Sequence, residues 1–192
     1  IISPLKMAVS KNESEIITKM LCDSGAKVGG PFDGPVDGWH NHVLGIACSQ
    51  GDIKKFFILT NKISDIDLTT NDRLGNSVLL SNSNAYPVSL EDKKNRIAIV
   101  QYLIEKGVPY ENDHNSTLSN TILSGNKELV RFLLSSGSSI NYVPTKNEHK
   151  NNIYANPLFA AIIYCERKRG SHKDFYSRYE FLASDLELIE LL

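Results

Sequence analysis

A short pattern recurs five times along this chain and limits what it can fold into. A polar residue precedes an apolar run, and in that run a leucine is followed three places later by a small residue. The copies are Ser3-Pro4-Leu5-Lys6-Met7-Ala8, His42-Val43-Leu44-Gly45-Ile46-Ala47, Ser77-Val78-Leu79-Leu80-Ser81-Asn82, Ser116-Thr117-Leu118-Ser119-Asn120-Thr121 and Asn156-Pro157-Leu158-Phe159-Ala160-Ala161. Ser3-Pro4 ahead of the first run is a helix start, because serine caps free amides and proline suits the first helical position. The leucines at 5, 44, 79, 118 and 158 lie 35 to 40 residues apart. The small residue (Ala8, Ala47, Asn82, Thr121, Ala161) lets two helices approach closely.

A turn and a second apolar helix follow each start. The clearest copy runs from Gly125 to Gly137, with Leu129, Val130, Leu133 and Leu134 on one helical face. Gly137 suits a helix end because it tolerates the left-handed conformation. Parallel copies are Glu15 to Leu21 ending near Gly25, Ile99 to Gly107 and, more loosely, Gly51 to Leu59; Glu187 to Leu192 starts a fifth.

Composition excludes several function classes. The 192 residues carry a net charge of −1, without the basic excess expected where nucleic acid or an anionic membrane is the main partner. No apolar run approaches the roughly 20 residues that span a bilayer, and no signal peptide is visible. Three cysteines, Cys22, Cys48 and Cys165, form no CxxC pair and sit in apolar segments, which fits a reducing cytosol. The cysteine usage leads to the expectation of a cytoplasmic protein; the chain is also expected to be monomeric and without cofactor or metal.

A helix-turn-helix period near 33 with insertions is an ankyrin signature, and the chain resembles an ankyrin-repeat domain along nearly its whole length. The resemblance implies an all-α ankyrin-repeat solenoid of about five helix-turn-helix units with hairpin-like loops. The expected division is repeat one at 1–28, a finger loop at 29–42, repeat two at 43–72, repeat three at 73–113, repeat four at 114–147 and an incomplete repeat five at 148–192. The family's threonine-proline-leucine-histidine motif is never complete: its histidine slot holds Lys6, Gly45, Leu80, Ser119 and Phe159. Pro87 breaks the first helix of repeat three, and repeat five carries an insertion from about Glu166 to Asp185. The ends read as those of a piece of a longer protein.

In this family function lies on the concave face and the hairpin tips, and the chain is expected to act as a non-catalytic protein-binding scaffold. Mapped by resemblance, the first tip holds Phe32, Asp33, Val36, Asp37, Trp39 and His40. The second holds Asn71, Asp72 and Arg73, the third Asp113 and His114, and the fourth Tyr154. The late first-helix positions Ser10-Lys11, Ser49-Gln50 and Leu123-Ser124 complete the face. Pro31-Phe32-Asp33-Gly34 and Pro35-Val36-Asp37-Gly38 each read as a tight turn. Trp39 behind them is either a binding anchor or a plug between repeats one and two. Asp33 and Asp37 do not supply a calcium loop. His40, His42 and Cys48 lack zinc-site spacing, and Cys48 reads as an inert core thiol. The run Glu166 to Lys173 is the one basic cluster and reads as a solvated loop. The other functional reading is a substrate-recruiting part of a larger enzyme. Abundant Asn, Ser, Ile and Lys with scarce Ala resemble ankyrin proteins that intracellular bacterial pathogens deliver into host cells, and also those of some protists and large DNA viruses; the bacterial-effector reading would make the partner a host protein.

Overall fold

The computed structural model describes residues 3–11, 15–28, 38, 42–62, 68–69, 77–83, 89–111, 116–143 and 156–171, the side chains of 165–171 excepted. Its helices are α1 (Pro4–Ser10), α2 (Glu15–Asp23), α3 (Val43–Gln50), α4 (Ile53–Thr60), α5 (Val78–Ser83), α6 (Leu90–Glu105), α7 (Thr117–Leu123), α8 (Lys127–Ser135) and α9 (Pro157–Ser171). No strand occurs among the described residues, where the extended pairing is one isolated antiparallel bridge between Glu111 and Ser116.

The recurring starts are helix starts. The Ser3 hydroxyl accepts from the Lys6 amide at 3.2 Å and Ser116 from the Ser119 amide at 3.3 Å. The Asn156 side chain accepts from the amides of Leu158 and Phe159 at 3.0 and 3.2 Å. Each bond satisfies an amide that the first turn leaves without an intrahelical acceptor. The second helices begin the same way: Asp52, Ser89 and Asn126 cap α4, α6 and α8.

Helices stack in two layers. α1, α3, α5, α7 and α9 pack side by side in chain order, and α2, α4, α6 and α8 do the same behind them. Within each helix-turn-helix, α1 packs on α2, α3 on α4, α5 on α6 and α7 on α8. The small residues make the close approach possible, since Ala8, Ala47, Asn82, Thr121 and Ala161 are all buried. Leu5, Leu44, Leu79 and Leu118 stand in the core beside them, joined by Leu129, Val130 and Leu133 from α8. Phe56 and Phe57 of α4 meet Tyr102 of α6 edge to face at 5.5 and 5.3 Å, an arrangement that favours aromatic pairs. This architecture is an all-α solenoid of the ankyrin kind.

Two departures follow from sequence. α5 has only six residues and closes at Ser83, short of the Asn84 to Pro87 stretch. α6 then starts early and runs for 16 residues. In the fifth unit, the stretch from Glu166 to Ser171 was expected in an insertion loop but is helical, as the last turns of the 15-residue α9. That portion of the basic run is therefore on a helix rather than in a loop.

The turn from α3 to α4 requires glycine. Gly51 has φ 69°, and a Cβ there would overlap an Asp92 carboxylate oxygen. Gly137, with φ 103°, has open space at the same place. Alanine at Gly137 is expected to cost roughly the 1–2 kcal/mol of a left-handed non-glycine residue, and alanine at Gly51 distinctly more. Urea unfolding of the two variants measures the difference; equal losses would mean that the Asp92 approach does not constrain this turn.

Candidate binding face

The predicted tip residues Phe32, Asp33, Val36, Asp37, Trp39, His40, Asn71, Asp72, Arg73, Asp113, His114 and Tyr154 lie outside the described residues. Two of their supports are described. Gly38, the last residue of the second Pro-x-Asp-Gly sequence, has φ 99°, a conformation that glycine adopts readily. The third tip is rooted by residues that sequence reasoning passed over. The Thr117 amide donates to the Tyr110 carbonyl at 3.0 Å, closing the base of the loop. The Tyr110 hydroxyl donates to the Ser136 carbonyl at 2.6 Å. The Glu111 carboxylate accepts from the Ser138 hydroxyl at 2.7 Å and the Ser139 amide at 3.0 Å. One hairpin root is thus fastened to the end of α8.

The late first-helix positions are not equally available. Ser10 and Lys11 are exposed. Ser49 and Gln50 are half-buried, and the Gln50 amide reaches the Ser10 carbonyl of the neighbouring first helix at 3.3 Å. Ser124 corrects the expectation of a solvent-facing residue: it is buried and its hydroxyl donates to the Thr121 carbonyl at 2.8 Å. The cause is Gly125 next to it, whose turn is covered by Tyr164 of α9.

A charged cluster lies under the same turns. Arg96 of α6 is buried and pairs with Asp92 at 2.9 Å. It also donates to the carbonyls of Ser49 at 3.0 Å, Asn82 at 3.3 Å and Cys48 at 3.5 Å. Those carbonyls end α3 and α5, where the last helical turn leaves acceptors unused and where positive charge is favoured. One guanidinium therefore ties an outer helix to two consecutive inner ones. A charged residue in a 16-residue helix gave no sequence signal of this role, because nothing local distinguishes it from a solvated arginine.

The two cysteines whose side chains are described, Cys22 and Cys48, are both buried. Burial pushes the Cys48 thiol far above its ordinary range, against a smaller opposing effect of Arg96. Burial likewise raises Cys22. A raised thiol is neutral at pH 7 and unreactive, so native protein treated with a thiol reagent should leave Cys48 unmodified. Peptide mapping checks this; rapid native labelling of Cys48 would contradict it. Among the described residues, no group of three or more His, Cys, Asp or Glu could hold a metal ion, and no helix is long and apolar enough to cross a membrane.

Ion pairs join successive outer helices: Lys54 with Glu15 at 3.2 Å, Lys62 with Asp23 at 3.2 Å and Lys93 with Glu128 at 3.1 Å. Hydrogen bonds from Lys19 and Lys62 hold the Asp23 carboxyl below its ordinary value. Burial works to raise Glu128, but its own backbone amide, Lys93 and Arg131 outweigh it and hold the carboxyl low. Unfolded carboxylates titrate near pH ~4. Groups held lower in the fold give stability that is present above that value and lost as pH falls through their folded values. Melting temperature is thus expected to drop on acidification below about pH 4, and less steeply in Glu128→Gln. A profile unchanged by Glu128→Gln would remove that residue from the effect.

Comparison with known proteins agrees with this geometry at the level of fold. No family model matches the chain, and neither does any curated protein sequence. Among solved structures it is similar to the human ASB11 ankyrin repeat domain, with a TM-score of 0.62 and 19% identity over 97% of this chain and 69% of that one. At that identity the likeness carries the fold and no more: the molecule has the ankyrin-repeat fold.

Proposed function

We propose that this array is a non-catalytic protein-binding scaffold that takes its partner along the face formed by the hairpin tips and the ends of the first helices. The observation that carries the reading is the side-by-side stacking of α1, α3, α5, α7 and α9. It sets the C-terminal ends of successive first helices in one row, with roots such as Tyr110 and Glu111 anchored to the neighbouring unit. A surface held this way is preorganised, so binding loses little to ordering it. Loops on such a scaffold can vary without disturbing the core.

In this reading the first finger supplies the aromatic anchor, Trp39, with Phe32, Val36, Asp33, Asp37 and His40 around it. Asn71, Asp72, Arg73, Asp113, His114 and Tyr154 continue the row. The test is capture from a eukaryotic lysate with wild type beside a Trp39→Ala, Asp37→Ala double variant, read by mass spectrometry. A protein held by wild type and lost by the variant supports the site on the first finger, and its identity tests the expectation of a host partner. Capture of the same proteins by both moves the site to the later tips. Thiol-dependent turnover by the purified chain would overturn the non-catalytic reading.

A further inference from the structure

Three and four places after its leucine, each first helix carries a pair of residues: Ala8-Val9, Ala47-Cys48, Asn82-Ser83, Thr121-Ile122 and Ala161-Ile162. Only α5 fills both places with polar side chains. Both are nonetheless fully buried, so α5 lacks the apolar burial that Val9 gives α1 and Ile122 gives α7.

The two polar residues meet burial differently. The Ser83 hydroxyl donates to the Leu80 carbonyl of its own helix at 3.0 Å, much as the Thr121 hydroxyl donates to the Thr117 carbonyl at 2.9 Å. The Asn82 side chain has no such bond. Neither its amide nitrogen nor its oxygen meets a partner among the described residues. A buried amide left this way carries its desolvation cost for as long as the helix stays packed. Separation of the helix lets water reach the side chain and removes the cost. α5 is also the shortest of the described helices, at six residues, and so has few intrahelical bonds of its own.

The fastenings near α5 run through the outer layer. Phe56 and Phe57 of α4 meet Tyr102 of α6. Lys93 of α6 pairs with Glu128 of α8 at 3.1 Å. Tyr110, beyond the end of α6, bonds the Ser136 carbonyl beyond the end of α8. Arg96 holds the Asn82 carbonyl at 3.3 Å, but it also holds α3 through Ser49 at 3.0 Å, and keeps that second hold when α5 moves.

We propose that α5 is the joint of the array, the first helix that comes away from its neighbours α3 and α7 while α4, α6 and α8 keep the units connected behind it. Local opening of this kind draws on the least stable part of a fold. It lets the inner helices on either side of α5 change their spacing without unstacking the outer layer. This property belongs to the array whatever it binds.

The experiment is native hydrogen exchange on the whole chain, with wild type beside Asn82→Ala and Asn82→Thr, read for α3, α5 and α7. Alanine stands at this place in units one, two and five, and threonine in unit four. The expected result is that wild-type α5 opens more readily than α3 and α7, though less readily than α2. Both variants should lower the α5 opening constant by roughly tenfold, the scale of one unsatisfied buried polar group. Wild-type α5 exchanging no faster than α3 and α7 would overturn the proposal. So would α5 exchange that is unchanged or faster in the variants, because Asn82 would then be satisfied in the fold. If one variant does not fold, the other decides. Failure of both to fold would show that the packed stack depends on the asparagine, and would equally overturn the proposal.

Discussion

Arg96→Ala is expected to destabilise the fold by about 3–5 kcal/mol, the range for breaking a buried ion pair by removing one partner. The substitution leaves Asp92, only 11% exposed at its side chain, without its guanidinium. It also strips the hydrogen bonds from the carbonyls of Cys48, Ser49 and Asn82 at the ends of α3 and α5. Two successive units are bridged through this side chain, so the damage reaches beyond α6. Arg96→Lys keeps the charge but not the planar fork that reaches several acceptors at once, and should recover only part of the loss. Urea unfolding measures both. A loss below about 1 kcal/mol, the scale of an exposed pair, would mean that the cluster is solvated and does not tie the layers.

Leu133→Ala should cost about 2–5 kcal/mol, the range for truncating a buried leucine. Leu133 is fully buried in α8 among the residues facing α7. Its neighbours on both helices are held by caps at Ser116 and Asn126, so they are poorly placed to collapse into the space. A loss under about half a kcal/mol, the scale of a neutral surface change, would show that α8 is not packed on α7 as described. The mechanisms differ, one a cavity and the other a broken ion pair. The two sites share no partner in the contacts described, so the double variant should be near additive.

Much of this architecture is legible in the sequence because stacked repeats encode themselves in short, local terms. Ser3, Ser116 and Asn156 announce helix starts by chemistry that acts over three residues. Leu129, Val130 and Leu133 announce a buried face by spacing alone, and Gly137 its end. Pro87 likewise explains why α5 is short. The rest was not legible because it depends on what lies across the stack. Lys55 occupies a position where α8 has Leu129, yet it is buried, with Asp52 3.2 Å away. Periodicity would put a lysine in solvent. Arg96 and Tyr110 work through carbonyls many residues away. His42, set beside His40 and Cys48 as a group without metal spacing, serves instead as a helix cap. Ser124 looked exposed until α9 placed Tyr164 over the adjacent glycine. On the functional side, spacing locates the tips but cannot say what they touch, and so the partner-binding residues stand as a proposal.

The stacked arrangement itself is most directly tested by hydrogen exchange on the intact native protein, read helix by helix. In a stack held by neighbour contacts, a helix covered on both sides opens less readily than one covered on a single side. α3, α5 and α7 have first-helix neighbours on both sides, and α4 and α6 have outer neighbours on both sides, whereas among the described residues the main neighbours of α2 are α1 and α4, and Ile16 and Met20 are exposed. The account predicts slow exchange in α3 through α7 and markedly faster exchange in α2. Exchange in α3 and α5 as fast as in α2 would contradict it.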